Sequence, residues 1–152
     1  MPQVESRRLQ VVYWPIEKLI PFSRNPRTHS EEQINRIAAS IQAFGWTNPI
    51  LIDPDGVTIA GHARTLAARK LQMTEVPVIV LSGLSEAQRR ALVIADNQLA
   101  ISGSGWDEEM LRLEWAELQA DAFDLEVLGF SDEELEEFLA DPDELTASGS
   151  WR

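Results

Sequence analysis

Gly61, His62 and Arg64 stand within one short stretch, VTIAGHARTLAARKL (57–71), and their types and spacing suit the binding of an anion. An arginine presents a planar fork of donors that matches phosphate oxygens. A glycine lets a ligand approach the backbone, because no Cβ stands in the way. The β-branched Val57-Thr58-Ile59 reads as a strand, and the run after Gly61 reads as a helix. The first four N–H groups of a helix have no partner inside it, and the macrodipole puts partial positive charge there. Strand, glycine, helix start and arginine together describe an anion cradle. The same residues equally describe a tight turn followed by a solvated arginine, so local pattern leaves both readings open. Asn25-Pro26-Arg27 sits in the loop PFSRNPRTH (21–29), which reads as solvated unless it folds back toward Gly61. Asp96-Asn97-Gln98 reads, by residue type alone, as an ordinary polar helix ending.

The elements that must position these residues follow from periodicity and capping. Leu9–Trp14 predicts a first strand, and Ile16–Leu19 a single turn entered through Pro15. Ser30-Glu31-Glu32-Gln33 predicts a capping box, with Gln33 reaching back to the Ser30 amide. The helix it opens carries Ile34, Ile37, Ala38, Ile41 and Phe44 on one face and ends at Gly45. Pro49–Asp53 predicts a second strand, joined in a hairpin to Val57–Ile59 by the turn Asp53-Pro54-Asp55-Gly56. The helix after Gly61 is expected to bury Leu66, Ala67 and Leu71 and to turn Arg69 and Lys70 to solvent. Val76–Leu81 is a fourth strand, in which Pro77 predicts an edge or a strand beginning. Ser85–Gln88 is a second capping box, opening a helix to about Ala95. Ser102–Gly105 reads as a hinge. Beyond it Asp107 caps a helix expected to bury Met110, Leu111, Trp115 and Leu118. Ser131 with Glu134 opens another, stapled by Phe130 and Leu135 and apolar through Leu135, Phe138 and Leu139. These elements predict an α/β (α+β) domain over 1–101 with a mixed sheet. They add an acidic helical extension over 102–140 packed on it, and a flexible tail over 141–152 whose large apolar group is Trp151.

Composition narrows the function classes. A chain of 152 residues with 44% apolar content buries one ordinary core. The absence of cysteine excludes disulfides, thiolate zinc sites and thiol chemistry. No apolar run is long enough to span a bilayer and none opens the chain, so a soluble cytoplasmic protein with no membrane partner is expected. The net charge of −12 is unevenly divided: residues 1–95 hold 11 Lys/Arg against 8 Asp/Glu, residues 96–152 hold 2 against 17. Neutralising phosphates needs Lys and Arg, so duplex DNA should be bound only weakly, without sequence preference, and through residues 1–95. No helix-turn-helix with a basic recognition helix is visible. Residues 1–95 hold no dense carboxylate or histidine cluster to support phosphodiester cleavage, which ranks a nuclease below other readings.

Taken in order, LIPFSRNPR, a capped helix ending in FGWTNPILI, IAGHARTLAARKL, VPVIV and IADNQLA resemble the N-terminal domain of ParB-type proteins, in the ParB/sulfiredoxin superfamily. The resemblance covers about residues 9–101. WDEEMLRLEWAEL through FDLEVLGFSDEEL is similar to the ParB-like domain found in phages and ahead of DNA adenine or cytosine methyltransferases, although no methyltransferase catalytic segment is present. This implies a ParB/sulfiredoxin-like mixed sheet with flanking helices and a pocket for a nucleoside triphosphate, CTP or ATP, with Mg²⁺. The family's phosphate-binding glycine falls on Gly61 and an arginine on Arg64, while His62 and Ala63 stand where ParB has Glu-Arg. The sulfiredoxin cysteine would fall on His62, so that reductase activity is excluded. ParB's Glu-Asn-Leu-Gln motif aligns with Asp96-Asn97-Gln98, which implies Asn97 and Asp96 as Mg²⁺ ligands and Asp96 as the group supporting weak NTP hydrolysis. One amide oxygen and one carboxylate suffice for a cation that also holds phosphates and waters. Asn25 and Arg27 would form another wall. His62 could donate to phosphate, act as a general base or lie at the surface, and the first is favoured. The implied function is a nucleotide-binding domain in DNA transactions, associated with DNA methylation or with phage or plasmid DNA maintenance. The alternative is a non-catalytic interaction or targeting module for a DNA methyltransferase or another DNA-processing protein.

Overall fold

The computed structural model describes residues 8–23, 25, 27–101 and 105–139. The chain divides into two compact units, Met1–Ser104 and Gly105–Arg152. The first is built on a four-stranded mixed sheet of β1 (Val12–Pro15), β2 (Ile50–Ile52), β3 (Thr58–Ala60) and β4 (Glu75–Val80) in the order β1-β4-β2-β3. β1 with β4 and β2 with β3 are antiparallel, whereas β2 and β4 run parallel. Three helices flank the sheet: α1 (Glu31–Phe44), α2 (His62–Lys70) and α3 (Glu86–Ile101). Ile50, Ile52, Val76 and Val78 bury one face with Leu19 and Ala68 of α2. Ile59 and Ile79 bury the other face with Val93 of α3. Covering both faces explains why ILI and VPVIV are unbroken apolar runs instead of alternating ones. α1 is joined to α2 through Ile34, Ala38, Ile41 and Ala67.

The expected hairpin forms, with its turn pinned by two features. Gly56 adopts φ +93, and a Cβ there would stand 2.6 Å from the Lys18 carbonyl oxygen. Asp53, buried, accepts from the Asp55 and Val57 amides at 2.9 Å each and forms an ion pair with Arg89 of α3. The hairpin that leads to Gly61 is thereby tied to the helix that carries Asp96 and Asn97.

Several local expectations need correction. β4 is central, so of the two readings of Pro77 the edge fails; Pro77 falls near the strand's start, one residue before pairing with β2 begins at Ile50↔Val78. Ser30 caps α1 by accepting from the Gln33 amide, but the Gln33 side chain turns to His29 instead of back to Ser30. Phe44, 51% exposed, leaves the buried face as the helix ends, and Leu66, 43% exposed, faces a surface cavity. α3 runs on to Ile101, so Asp96 and Asn97 lie within a helix. No Gly or Pro interrupts ADNQLAI, and Asn97 satisfies its side chain on the helix's own Val93 carbonyl.

The second unit contains α4 (Glu108–Ala120), a 3-10 segment (Leu125–Leu128) and α5 (Asp132–Leu139). Asp107 caps α4, and Ser131 and Glu134 form a complete capping box on α5. Trp115 and Phe130 are its buried centre, with ring centroids 5.3 Å apart. Leu111 and Leu118 are half-buried, whereas Met110 is 54% exposed, contrary to expectation. The hinge residues 102–104, the side chains of Phe138 and Leu139, and the tail with Trp151 lie outside the described residues. Among the described residues no helix is long and apolar enough to cross a membrane.

Candidate functional site

β3 ends at Ala60 and α2 begins at His62, with Gly61 as the N-cap at φ 98 and ψ 24. That left-handed conformation favours glycine, and an added Cβ would stand 3.2 Å from Ile50 Cγ1. Glycine is therefore needed to turn the chain against β2, before any ligand is considered. No side chain caps α2 and its first turn holds no acidic residue, so its N-terminal amides and partial positive charge are not offset locally.

This helix start opens into a cleft of about 260 Å3. Gly61, His62, Ala63 and Arg64 form its floor; Arg27 and His29 come from the loop, Gln33 and Ile37 from α1, and Asp96 and Asn97 from α3. Arg64 is half-buried, and desolvation lowers its pKa below the usual arginine value while the Asp96 charge pulls it back up. Among the described residues no carboxylate reaches ion-pair distance of its guanidinium. A half-buried charge without a paired counter-charge is costly to the protein unless something else compensates it.

Arg27 does fold back. Its Nη1 donates to Asn97 Oδ1 at 3.1 Å, and its backbone amide donates to Asn25 Oδ1 at 3.1 Å. Asn97 Nδ2 donates to the Val93 carbonyl at 2.9 Å, so both ends of this amide are engaged. Arg27, Gly61, His62, Arg64, Asp96 and Asn97 thus share one cleft. Asn25 lies in an adjoining cavity of about 190 Å3, walled by Leu19, Pro21, Phe22 and Leu66. His29 and His62 line both spaces. Burial is the main cause that lowers the His62 pKa below 6.5, and His29 lowers it further; a hydrogen bond with the Thr58 backbone and the Asp96 charge oppose this.

A loop histidine reads as solvent-facing by default, yet His29 lines the cleft, and Gln33, which reads as a capping-box residue alone, lines it too. His29 Nδ1 and Gln33 Oε1 are 2.9 Å apart, and the visible signal was a capping-box glutamine with a histidine four residues before it. Asp53 and Arg89 were likewise missed as a unit, since nothing local links a turn aspartate to a helix arginine 36 residues later.

Among the described residues no group of three or more His, Asp or Glu side chains gathers as for a metal held by protein alone. For Mg²⁺ carried with phosphates the donor set is of the right kind: Asp96 supplies a carboxylate and Asn97 an amide oxygen in the same cleft. Asn97 Oδ1 already faces a cation, the Arg27 guanidinium, so this oxygen sits where positive charge is accommodated.

Residues 2–98 match the ParB N-terminal domain family. The chain belongs to that family. Residues 109–149 also match the ParB-methyltransferase HTH domain. The stretch holds no basic recognition helix that its sequence could reveal, because Arg112 is its single basic residue against 14 acidic ones. A ParB-like nuclease domain-containing protein, YnaK of Escherichia coli K12, is 53% identical over 85 residues, 56% of this chain and 98% of that protein. A nucleoid occlusion protein of Geobacillus kaustophilus is 31% identical over 98 residues, 61% of this chain but 34% of that protein. The chain therefore spans about a third of the nucleoid occlusion protein's length. Among solved structures, the fold is similar to a C-terminally truncated chromosome-partitioning protein ParB from Caulobacter crescentus complexed with CTP-γ-S. The TM-score is 0.73 at 24% identity, covering 93% of this chain and 86% of that one. A Pnob8-like ParB-N domain gives a TM-score of 0.52 at 20% identity, covering 76% of this chain and 49% of that one. The ParB domain described here is thus of the kind found in chromosome-partitioning proteins, and its mixed sheet with flanking helices is the ParB fold.

Proposed function

We propose that this ParB domain binds a nucleoside triphosphate by its phosphates in the cleft at Gly61 and serves a DNA transaction as a nucleotide-responsive unit. The observation that carries the reading is Arg64, a half-buried guanidinium with no carboxylate at ion-pair distance among the described residues, set at an uncapped helix start. A polyanion satisfies both at once: the guanidinium gains charge-assisted bonds and the α2 amides gain acceptors. Arg27 is within the same cleft and can trade its Asn97 contact for a phosphate oxygen. Asn97 and Asp96 would hold Mg²⁺, which when bound would neutralise phosphate charge. Asp96 is also the residue placed to support hydrolysis, should the domain act as a weak NTPase. The fold shared with a ParB complexed with CTP-γ-S supports CTP as the first ligand to test, with ATP next.

The second reading, an interaction module for a DNA methyltransferase, draws on the other unit. Its match to a ParB-methyltransferase HTH domain supports that partner. Met110 and Leu113, 54% and 57% exposed, lie three residues apart on α4 and offer a protein-binding face. The two readings are compatible, since they rest on different units.

Calorimetric titration of the full chain with CTP, ATP, GTP and UTP, each with and without Mg²⁺, tests the nucleotide reading. Binding of at least one of them below millimolar, strengthened by Mg²⁺, is the expected result. If none binds below millimolar, the pocket reading fails and the interaction module stands.

A further inference from the structure

We propose that His62 reads the nucleoside end of the ligand, its Nε2 accepting a hydrogen bond from an N–H or O–H that the nucleoside carries. The inference rests on the phosphate-binding reading above and adds to it a specificity-determining residue. Three observations converge. First, the polar cleft at Gly61 and the apolar cavity lined by Phe22 share two residues, His29 and His62, which border both spaces. A nucleotide has the same two-part chemistry, a charged chain joined to a flat ring, and a ligand spanning both spaces meets His29 and His62 on its way. Second, His62 Nε2 is shut off from water and has no hydrogen-bond partner. Buried polar atoms are nearly always paired, and an unpaired one marks a place where a partner belongs. Third, the His62 ring hydrogen-bonds the Thr58 backbone. With Nε2 unpaired, that bond falls to Nδ1–H and the carbonyl, and Nε2 of the neutral ring then carries the lone pair.

A lone pair repels a phosphate oxygen and requires a donor. Phosphates belong with Arg64, Arg27 and the α2 amides, which are all donors. A nucleoside supplies donors from two sources, the ribose hydroxyls and the exocyclic amino group of cytosine or adenine. The surroundings keep the ring in its neutral form: burial and His29 disfavour the imidazolium, and Asp96 from α3 opposes them without prevailing.

The test compares wild type, His62→Ala and His62→Gln in titrations with inorganic tripolyphosphate, CTP, 2′-deoxy-CTP, 3′-deoxy-CTP and UTP, repeated with ATP and its deoxy and deaminated counterparts. In wild type, losing the donor that meets Nε2 should weaken binding about tenfold or more, because a buried acceptor is left unpaired. A deoxy analogue that loses this much assigns the ribose; a deaminated one assigns the base. His62→Ala should abolish that discrimination and weaken the parent nucleotide far more than tripolyphosphate. His62→Gln, which retains an acceptor, should restore part of the discrimination. Equal losses for tripolyphosphate and nucleotide in His62→Ala would make His62 a phosphate ligand and overturn the proposal. Tripolyphosphate binding without any discrimination by wild type would overturn it while leaving the phosphate reading intact. Failure of tripolyphosphate and every nucleotide to bind would overturn both.

Discussion

Removing Arg64 should move ligand affinity and protein stability in opposite directions. Its guanidinium is half-buried on the first turn of α2 and has no carboxylate at ion-pair distance among the described residues, so the unliganded protein bears its desolvation without return. Arg64→Ala relieves that cost and places the best helix former in α2; against this stands the lost packing of the arginine stem. The unliganded protein should therefore be unchanged or more stable, by roughly 0.5–1.5 kcal/mol, the usual gain when a site residue kept for function is relaxed. Affinity should fall, since a hydrogen bond to a charged group contributes about 1.5–3 kcal/mol, roughly ten- to 150-fold in Kd. Arg64→Lys should fall between, because an ammonium keeps the charge but not the fork. Lys70→Ala is the control: it lies on the same helix, exposed, and meets only Glu31 on α1. Arg69 would be a poor one, since it lines the apolar cavity and donates to the Ile16 carbonyl at 3.4 Å. Urea unfolding without ligand and calorimetry with CTP and ATP give both quantities. If Arg64→Ala destabilises the unliganded protein by more than about 1 kcal/mol while leaving affinity unchanged, Arg64 is a packing residue and the reasoning fails.

Three further outcomes follow from the same geometry. Gly61→Ala forces a side chain into φ 98 and toward Ile50 Cγ1; it should cost about 1–2 kcal/mol in urea unfolding and weaken phosphate binding with it. Asn97→Ala frees Arg27 and removes an amide oxygen, so calorimetry should find weaker nucleotide binding with Mg²⁺ and equal or tighter binding without it. His62, whose folded pKa lies below 6.5, stays neutral while the unfolded chain takes up a proton. Its contribution to stability is thus complete above about 6.5 and is lost as pH falls from there toward the folded pKa, and the urea midpoint of His62→Gln should decline less than wild type between about pH 7.5 and 5.5.

Most of the fold could be read from local rules because those rules act over a few residues. Ser85, Asp107 and Ser131 cap as their sequences demand, and the turn chemistry of Asp53–Gly56 makes its hairpin. The failures were tertiary. Pro77 reads as an edge residue or a strand beginning, and only the register, in which β2 has not yet begun beside it, chooses between them. Asp96-Asn97 reads as a helix ending until Asn97 is seen to bond back to Val93 and forward to Arg27, 70 residues away. Gly61 was singled out for close ligand approach, and its first requirement proves to be a left-handed backbone packed on Ile50. The gathering of Arg27 with Arg64 followed from no spacing rule, since loop 21–29 carries no periodicity that could aim it.

The two matched families place the same electrostatic demand on the chain, positive charge for phosphate, and the two units meet it unequally. A DNA-reading helix-turn-helix must neutralise several phosphates, and each contact needs a Lys, an Arg or a helix N-terminus. The stretch 109–149 has Arg112 alone, and the first turns of α4 and α5 carry Glu108, Glu109, Asp132, Glu133 and Glu134, which offset the helix dipoles. A phosphate backbone brought there meets repulsion. In the ParB domain the balance is reversed at one place: the α2 start is uncapped and unacidified, with Arg64 and Arg27 facing Asp96 alone. The proposed nucleotide site thus has a favourable field at this cleft, while the acidic unit offers a long polyanion few cationic partners. Under the proposed interaction-module reading, exposed Met110 and Leu113 of α4 would be buried against a partner protein, and the acidic residues around them would steer a basic surface instead of opposing it.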